Sequence, residues 1–170
     1  PNDVFATPVI QQFVYTDRVV TYEQLIALGF DLAGTAGDDV LMGTNTTDRL
    51  LGLAGDDDLS GGEGTDTVTG GIGTDVLRGG AGDDTYVFNL GDGIDTIEDS
   101  AAIGEGNGIQ FGAGIGQSDL TFTRDEAAQT LTIQVGSSST DQLRLLNFDP
   151  TGATGSLVVG TLAFADGSTV

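Results

Sequence analysis

The sequence predicts an all-β fold: a parallel β-roll, that is, a two-sheet β-solenoid of nonapeptide repeats, with a short N-terminal capping helix and a C-terminal antiparallel β cap. Three observations carry that expectation. A nine-residue pattern recurs from Gly34 onward. The chain holds 28 Gly and, among its 26 acids, 21 Asp, residues that disfavour helix interiors and favour turns. Beyond residue 119, apolar and polar residues alternate with the period of two that marks a strand.

Three segments follow: 1–33, 34–99 and 100–170. In the first, Pro8-Val9-Ile10 and Phe13-Val14-Tyr15 read as extended. Thr21-Tyr22-Glu23-Gln24 then has the form of a capping box, with Thr21 as N-cap and Gln24 three residues on. Leu25, Ile26 and Leu28 supply an apolar face and Gly29 a stop. This short helix is expected to cover the first coil, whose bare sheet edge would otherwise invite aggregation. Pro1 is no initiator residue, so the chain is expected to be part of a larger protein.

The middle segment divides into six blocks of nine: GTAGDDVLM, GTNTTDRLL, GLAGDDDLS, GGEGTDTVT, GGIGTDVLR and GGAGDDTYV. Position one is always Gly. Position six is always Asp: Asp39, Asp48, Asp57, Asp66, Asp75 and Asp84. Position eight is always large and apolar: Leu41, Leu50, Leu59, Val68, Leu77 and Tyr86. A seventh block regains the register after two extra residues, with Asp95 at position six and Ile97 at position eight. A flexible Gly-rich linker has no reason to keep a large apolar residue every nine positions.

Positions seven to nine of each block are expected to form a short strand with position eight facing inward. The Gly-rich first half then turns the chain at positive φ. Two blocks make a coil, so like loops stack every eighteen residues, with strands about 4.8 Å apart. Position-six carboxylates then face one another across that gap. They repel, and the turn carbonyls lack partners. A calcium ion takes six to eight oxygens, carboxylate and carbonyl alike, and answers both needs.

The repeats follow the pattern G-G-x-G-x-D-x-U-x and resemble the RTX, or haemolysin-type calcium-binding, repeat family. The resemblance implies that each ion takes carbonyls from positions two and four plus the Asp of one loop, and carbonyls from positions one and three plus the Asp of the loop stacked on it. The first site would then use Thr35, Gly37 and Asp39 with Gly52, Ala54 and Asp57. The second would use Thr44, Thr46 and Asp48 with Gly61, Glu63 and Asp66. The third pairs Leu53, Gly55 and Asp57 with Gly70, Ile72 and Asp75. The fourth pairs Gly62, Gly64 and Asp66 with Gly79, Ala81 and Asp84. A fifth joins Gly71, Gly73 and Asp75 to Leu90, Asp92 and Asp95, and Asp99 lies beyond Asp84 for a further one. Roughly four to six calcium ions are implied in all. The chain departs from the pattern at Thr35, Thr44 and Leu53 in position two and at Thr46 in position four. If position four needs positive φ, the β-branched Thr46 would be strained there.

Past the repeats, Leu120 to Arg124 and Leu131 to Val135 are expected to pair as a hairpin across Asp125 to Gln129. Gln142 to Phe148 and Leu157 to Phe164 read as further strands, and Asp166-Gly167 as a turn. Gly114-Ile115, Asp119-Leu120, Phe122, Arg124, Leu131, Ile133 and Phe164-Ala165-Asp166-Gly167 resemble the haemolysin-type calcium-binding-related domain that follows such repeats.

The composition excludes whole classes of function. A net charge of −21 with five basic residues, all Arg, argues against nucleic-acid binding. With no His and no Cys, Ser-His, Cys-His and imidazole-zinc chemistry are unavailable. The repeat Asp residues are committed as ligands, so no enzyme is expected. No apolar run reaches the ~18 residues of a membrane span. The family resemblance implies a calcium-dependent folding and secretion module of an exported bacterial protein, leaving a low-calcium cytosol through a type I system and working outside the cell or at its surface. The alternative is a calcium-stabilised adhesin or surface-layer module that self-associates or binds glycans.

Overall fold

The structure, a computed structural model, describes residues 12–14, 19–21, 24, 26–99, 105–137, 140–148 and 159–170. Before the repeats, β1 (Gln12–Val14) and β2 (Val19–Thr21) form an antiparallel ribbon. The capping box is made: the Thr21 N–H donates to Gln24 Oε1 at 3.0 Å, and the Gln24 N–H to Thr21 Oγ1 at 3.2 Å. Gln24 and Ile26 are helical. Ala27 and Leu28 form a turn, with the Gly29 N–H donating to the Ile26 carbonyl at 3.0 Å, and Leu28, expected on the apolar face, is exposed. Tyr22, Glu23 and Leu25 of the expected helix, and the extended reading of Pro8 to Ile10, lie outside the described residues.

From β3 (Phe30–Ala33) the chain winds as a solenoid. One sheet takes β3, β5 (Asp48–Ala54), β7 (Thr67–Ile72), β9 (Thr85–Phe88), β11 (Gly108–Phe111) and β15 (Thr161–Phe164) in that order. The other takes β4 (Val40–Met42), β6 (Asp58–Glu63), β8 (Val76–Ala81), β10 (Ile94–Ile97), β14 (Gln142–Leu145), β13 (Thr130–Val135) and β12 (Leu120–Asp125). Along the repeats the strands are parallel. Asp58 registers with Val76 and Thr67 with Thr85, one coil of eighteen residues apart. Val76 registers with Thr96, so the two-residue insertion is absorbed in a loop and the sheet keeps its register.

The core lies between the sheets. Position-eight residues Leu50, Leu59, Val68, Leu77, Tyr86 and Ile97 are buried. Burying such a side chain stabilises by about 1.5–3 kcal/mol, so each block has one apolar anchor. Toward the C-terminal end aromatic residues thicken this core. Phe88, Phe111 and Phe164 stand on neighbouring strands, the last two stacked with ring centroids 5.4 Å apart.

Two expectations need correction. The strands β6, β7 and β8 run six residues, past position nine and through the first three positions of the next block. Small Gly residues let neighbouring coils approach closely enough to keep pairing there, so the turn is confined to positions four to six. The C-terminal part is also not purely antiparallel. The hairpin β12–β13 pairs as expected, Leu120 opposite Val135. However, β11 and β15 stack parallel on β9, and β14 parallel on β10. The two sheets of the roll therefore continue into this segment. Alternation identifies a strand but not its partner.

Candidate calcium sites

Each position-six Asp is tied to the one a coil later. The Asp39 N–H donates to Asp57 Oδ1 at 2.8 Å, Asp48 to Asp66 at 2.8 Å, Asp57 to Asp75 at 2.8 Å, Asp66 to Asp84 at 2.9 Å and Asp75 to Asp95 at 3.2 Å. Two columns result, one on each edge of the roll: 39–57–75–95 and 48–66–84. Asp is short enough to reach one coil back with Oδ1 while keeping Oδ2 inside its own loop. The Oδ2 atoms of Asp57, Asp66, Asp75, Asp84 and Asp95 are all buried without a hydrogen-bond partner. Native structures seldom leave such groups unsatisfied.

The surroundings of these atoms test whether a cation fits. A methyl group built on Gly52 would lie 2.2 Å from Asp57 Oδ2 and 2.5 Å from the Gly70 carbonyl oxygen. One built on Gly61 would lie 2.3 Å from Asp66 Oδ2 and 2.6 Å from the Gly79 oxygen. Position-one Gly thus floors a cradle in which a carboxylate oxygen and a carbonyl oxygen of the next coil converge. Asp57 Oδ2 and Asp66 Oδ2 receive no hydrogen bond there, and oxygens are what calcium takes. The fit is good. Among the described residues no three acidic side chains gather to hold a metal by themselves, so an ion there needs the loop carbonyls.

The third and fourth sites of the expected ligand sets are the most regular. A methyl on Gly71 or Gly73 would meet the Leu53 or Gly55 oxygen at 2.2 or 2.0 Å, so those carbonyls face the following coil. Gly62 and Gly64 present their oxygens to Gly80 and Gly82 in the same way, at 2.1 and 1.8 Å. The position-three carbonyls of Ile72 and Ala81 accept from the Gly55 and Gly64 N–H at 3.0 and 2.8 Å. Leu53 reaches this geometry at φ 86, a left-handed conformation costing a non-Gly residue about 1–2 kcal/mol. The fifth site keeps the pattern only in part: Gly71 has positive φ, but Gly73 does not, and its carbonyl accepts from the Ile94 N–H at 3.1 Å. Asp92 stands at position three, where its carbonyl accepts from the Gly73 N–H at 2.7 Å. Its side chain instead ties down the insertion, Oδ2 accepting from the Asn89 N–H at 2.7 Å.

The first two sites differ. Position two has positive φ at Leu53, Gly62, Gly71, Gly80 and Gly91, but not at Thr35 or Thr44. The β-branched residues refuse that conformation, and their loops turn otherwise. Asp39 Oδ2 then accepts from the Thr35 N–H and hydroxyl at 2.6 and 2.9 Å, and Asp48 Oδ2 from those of Thr44 at 2.5 and 2.9 Å. The strain expected at Thr46 is absent, because its φ is not positive and neither is that of Gly37. In these two sites the protein itself answers the carboxylate. The upper-loop residues Gly52, Ala54, Gly61 and Glu63 stack on them one coil later.

Burial dominates the electrostatics. It pushes Asp66 and Asp75 up to about 6, against backbone hydrogen bonds that lower them, with the neighbouring carboxylate adding to the rise. Asp84 is pushed up to about 7 and Asp95 to about 8 by burial first, with carboxylates nearby. Three ion pairs, Arg49 with Asp31 and Arg78 with both Asp58 and Glu98, lie on the outer faces. Such pairs contribute ~0–1 kcal/mol and cannot offset the columns.

The sequence pattern extends the column beyond Asp84 only as far as Asp99. The structure shows Asp99 buried, accepting from the Tyr86 hydroxyl and, at 2.8 Å, from Asn107 Nδ2. Asn107 itself occupies position six of a further block, since Ile109 registers with Tyr86. The spacing of Asn107 and Ile109 was the available signal, hidden by a longer connection.

Residues 33–68 and 60–97 match the family model of the RTX calcium-binding nonapeptide repeat, and this segment, 33–97, is a run of such repeats. No curated protein is significantly similar to the chain. Among solved structures, the chain is similar to the solution structure of the AlgE6R3 subunit from the Azotobacter vinelandii mannuronan C5-epimerase, at 21% identity and a TM-score of 0.47, over 78% of this chain and 81% of that one.

Proposed function

We propose that this chain is the calcium-dependent folding module of an exported protein, without catalysis of its own. One observation carries the reading: five buried Asp oxygens without partners, spaced one coil apart in two columns. A chain built this way is poorly folded where calcium is scarce and folds where it is plentiful. That suits passage through an export channel as an unfolded chain. The third, fourth and fifth ligand sets would hold the ions, and calcium would supply the positive charge that cancels carboxylate repulsion. The Thr21–Gln24 bonds support a short helix over the first coil. No helix among the described residues is long and apolar enough to cross a membrane, and proteins with these repeats are typically exported.

Calcium titration followed by circular dichroism tests the reading. A folding midpoint near ~10⁻⁴–10⁻³ M, the range of extracellular modules, is expected. A midpoint below ~10⁻⁷ M, the lower bound of cytosolic sensors, would let the chain fold before leaving the cell and would defeat the proposal.

A further inference from the structure

We infer that a calcium ion also binds at the C-terminal end of the 48–66–84 column, in a site where side-chain oxygens replace the loop carbonyls. The inference rests on the calcium reading above. Asp84 Oδ2 is buried and without a partner, and Asp84 is 1% exposed. It faces a layer that no longer has the repeat sequence. The hydrogen bonds of that layer nonetheless copy those of the coils below.

In the regular coils the position-six N–H donates to the next Asp Oδ1. Here the Asp84 N–H donates to Asn107 Oδ1 at 2.9 Å, the same length as Asp66 to Asp84. In the regular coils the position-four N–H donates to a position-three carbonyl that belongs to the ligand set. Here the Gly82 N–H donates to Glu105 Oε1 at 3.1 Å. The frame is shared as well. The Gly108 N–H donates to the Asp84 carbonyl at 2.8 Å, as Thr85 does to Asp66. The Gly106 N–H donates to Asp83 Oδ1 at 2.6 Å, as Asp56 does to Asp38 at 2.9 Å.

Glu105 Oε1 and Asn107 Oδ1 therefore stand where two ligands of the regular site stand, around an unpaired carboxylate oxygen. A carboxylate and an amide oxygen are both calcium ligands. Gly80 and Gly82 stand at positions two and four, whose carbonyls the implied ligand set takes from the lower loop. Asp99 is a positioning residue. It accepts from Asn107 Nδ2 at 2.8 Å and from the Gly80 N–H at 3.3 Å, which turns the amide so that its oxygen faces Asp84.

The test uses the whole chain. Crystals grown in millimolar calcium should give an anomalous peak between Asp84 and Glu105, in addition to peaks in the coils below. Native mass spectrometry of Glu105→Gln and of Asn107→Leu should each show one calcium fewer than the parent, with the others kept. Peaks in the lower coils and none beside Asp84 would overturn the inference and leave the calcium reading standing. An unchanged ion count in both variants would overturn it too. No peak anywhere would overturn both. Should the variants not fold, the parent crystal still decides.

Discussion

Removing calcium at neutral pH is expected to unfold the roll. Five buried Asp oxygens then have no partner. A buried polar group left unsatisfied costs about 1–3 kcal/mol, and more if charged. Five such groups amount to about 5–15 kcal/mol, as large as the whole stability of an ordinary domain, about 5–15 kcal/mol. Little else in the fold compensates, because there are no Cys residues and the Arg pairs lie at the surface. Thermal melts by circular dichroism at pH 7.5, with millimolar calcium or with excess chelator, read this directly. The loaded chain should melt cooperatively and the chelated chain should show no cooperative transition. A loss of even 5 kcal/mol corresponds to at least about 10 °C for a chain of this size. A chelated chain melting cooperatively within a few degrees of the loaded one would refute the reasoning.

Two further outcomes follow from the same sites. In the metal-free chain, Asp66 and Asp75 at about 6, Asp84 at about 7 and Asp95 at about 8 lie above the ordinary 3.8. The folded state therefore binds more protons than the unfolded one, so metal-free stability rises as pH falls from about 8 toward 4 and is lost as pH rises through these values. In chelator, ellipticity should return near pH 5 and vanish by pH 8, and the opposite slope would contradict the burial of these groups. Gly70→Ala places a methyl 2.2 Å from Asp75 Oδ2, so it should lower the loaded stability by about 1–3 kcal/mol, the usual cost of overpacking. Gly37→Ala, with nothing within 4 Å and no positive φ, serves as the control and should leave the melt in calcium almost unchanged.

The roll was legible in the sequence because its information is local. Each block restates Gly, Asp and an apolar residue at fixed steps, and the register of eighteen follows from two blocks per coil. The loops were legible only as a common pattern. That Thr35 and Thr44 would refuse positive φ and turn their hydroxyls onto Asp39 and Asp48 depends on side-chain branching, and the departure was visible while its consequence was not. Leu53 shows the converse. Unbranched at Cβ, it accepts φ 86 and keeps its loop regular. Beyond residue 99 the information becomes non-local. Asn107 binds Asp84 across twenty-three residues, and Gly91 donates to Asp141 across fifty. No fixed step announces such partners, so strands were visible there and their parallel stacking was not.

The sharing of each interior Asp between two ligand sets makes calcium binding along a column a linked process. Asp57 belongs to the first and third sets, Asp75 to the third and fifth, and Asp66 to the second and fourth. The hydrogen bonds give the sharing a direction. Oδ1 of each Asp holds the N–H of the coil before it, while Oδ2 waits in its own loop for the coil after it. An ion that fixes one Asp thereby fixes half of the next site. That is the nearest-neighbour coupling of a one-dimensional array, and it makes the first ion harder to bind than those that follow. The ends of the columns then determine where the array can begin. At the N-terminal end Thr35 and Thr44 already hold Asp39 and Asp48 without metal. The lower halves of the first two sites are thus held before any ion arrives, and that end is where stacking needs calcium least.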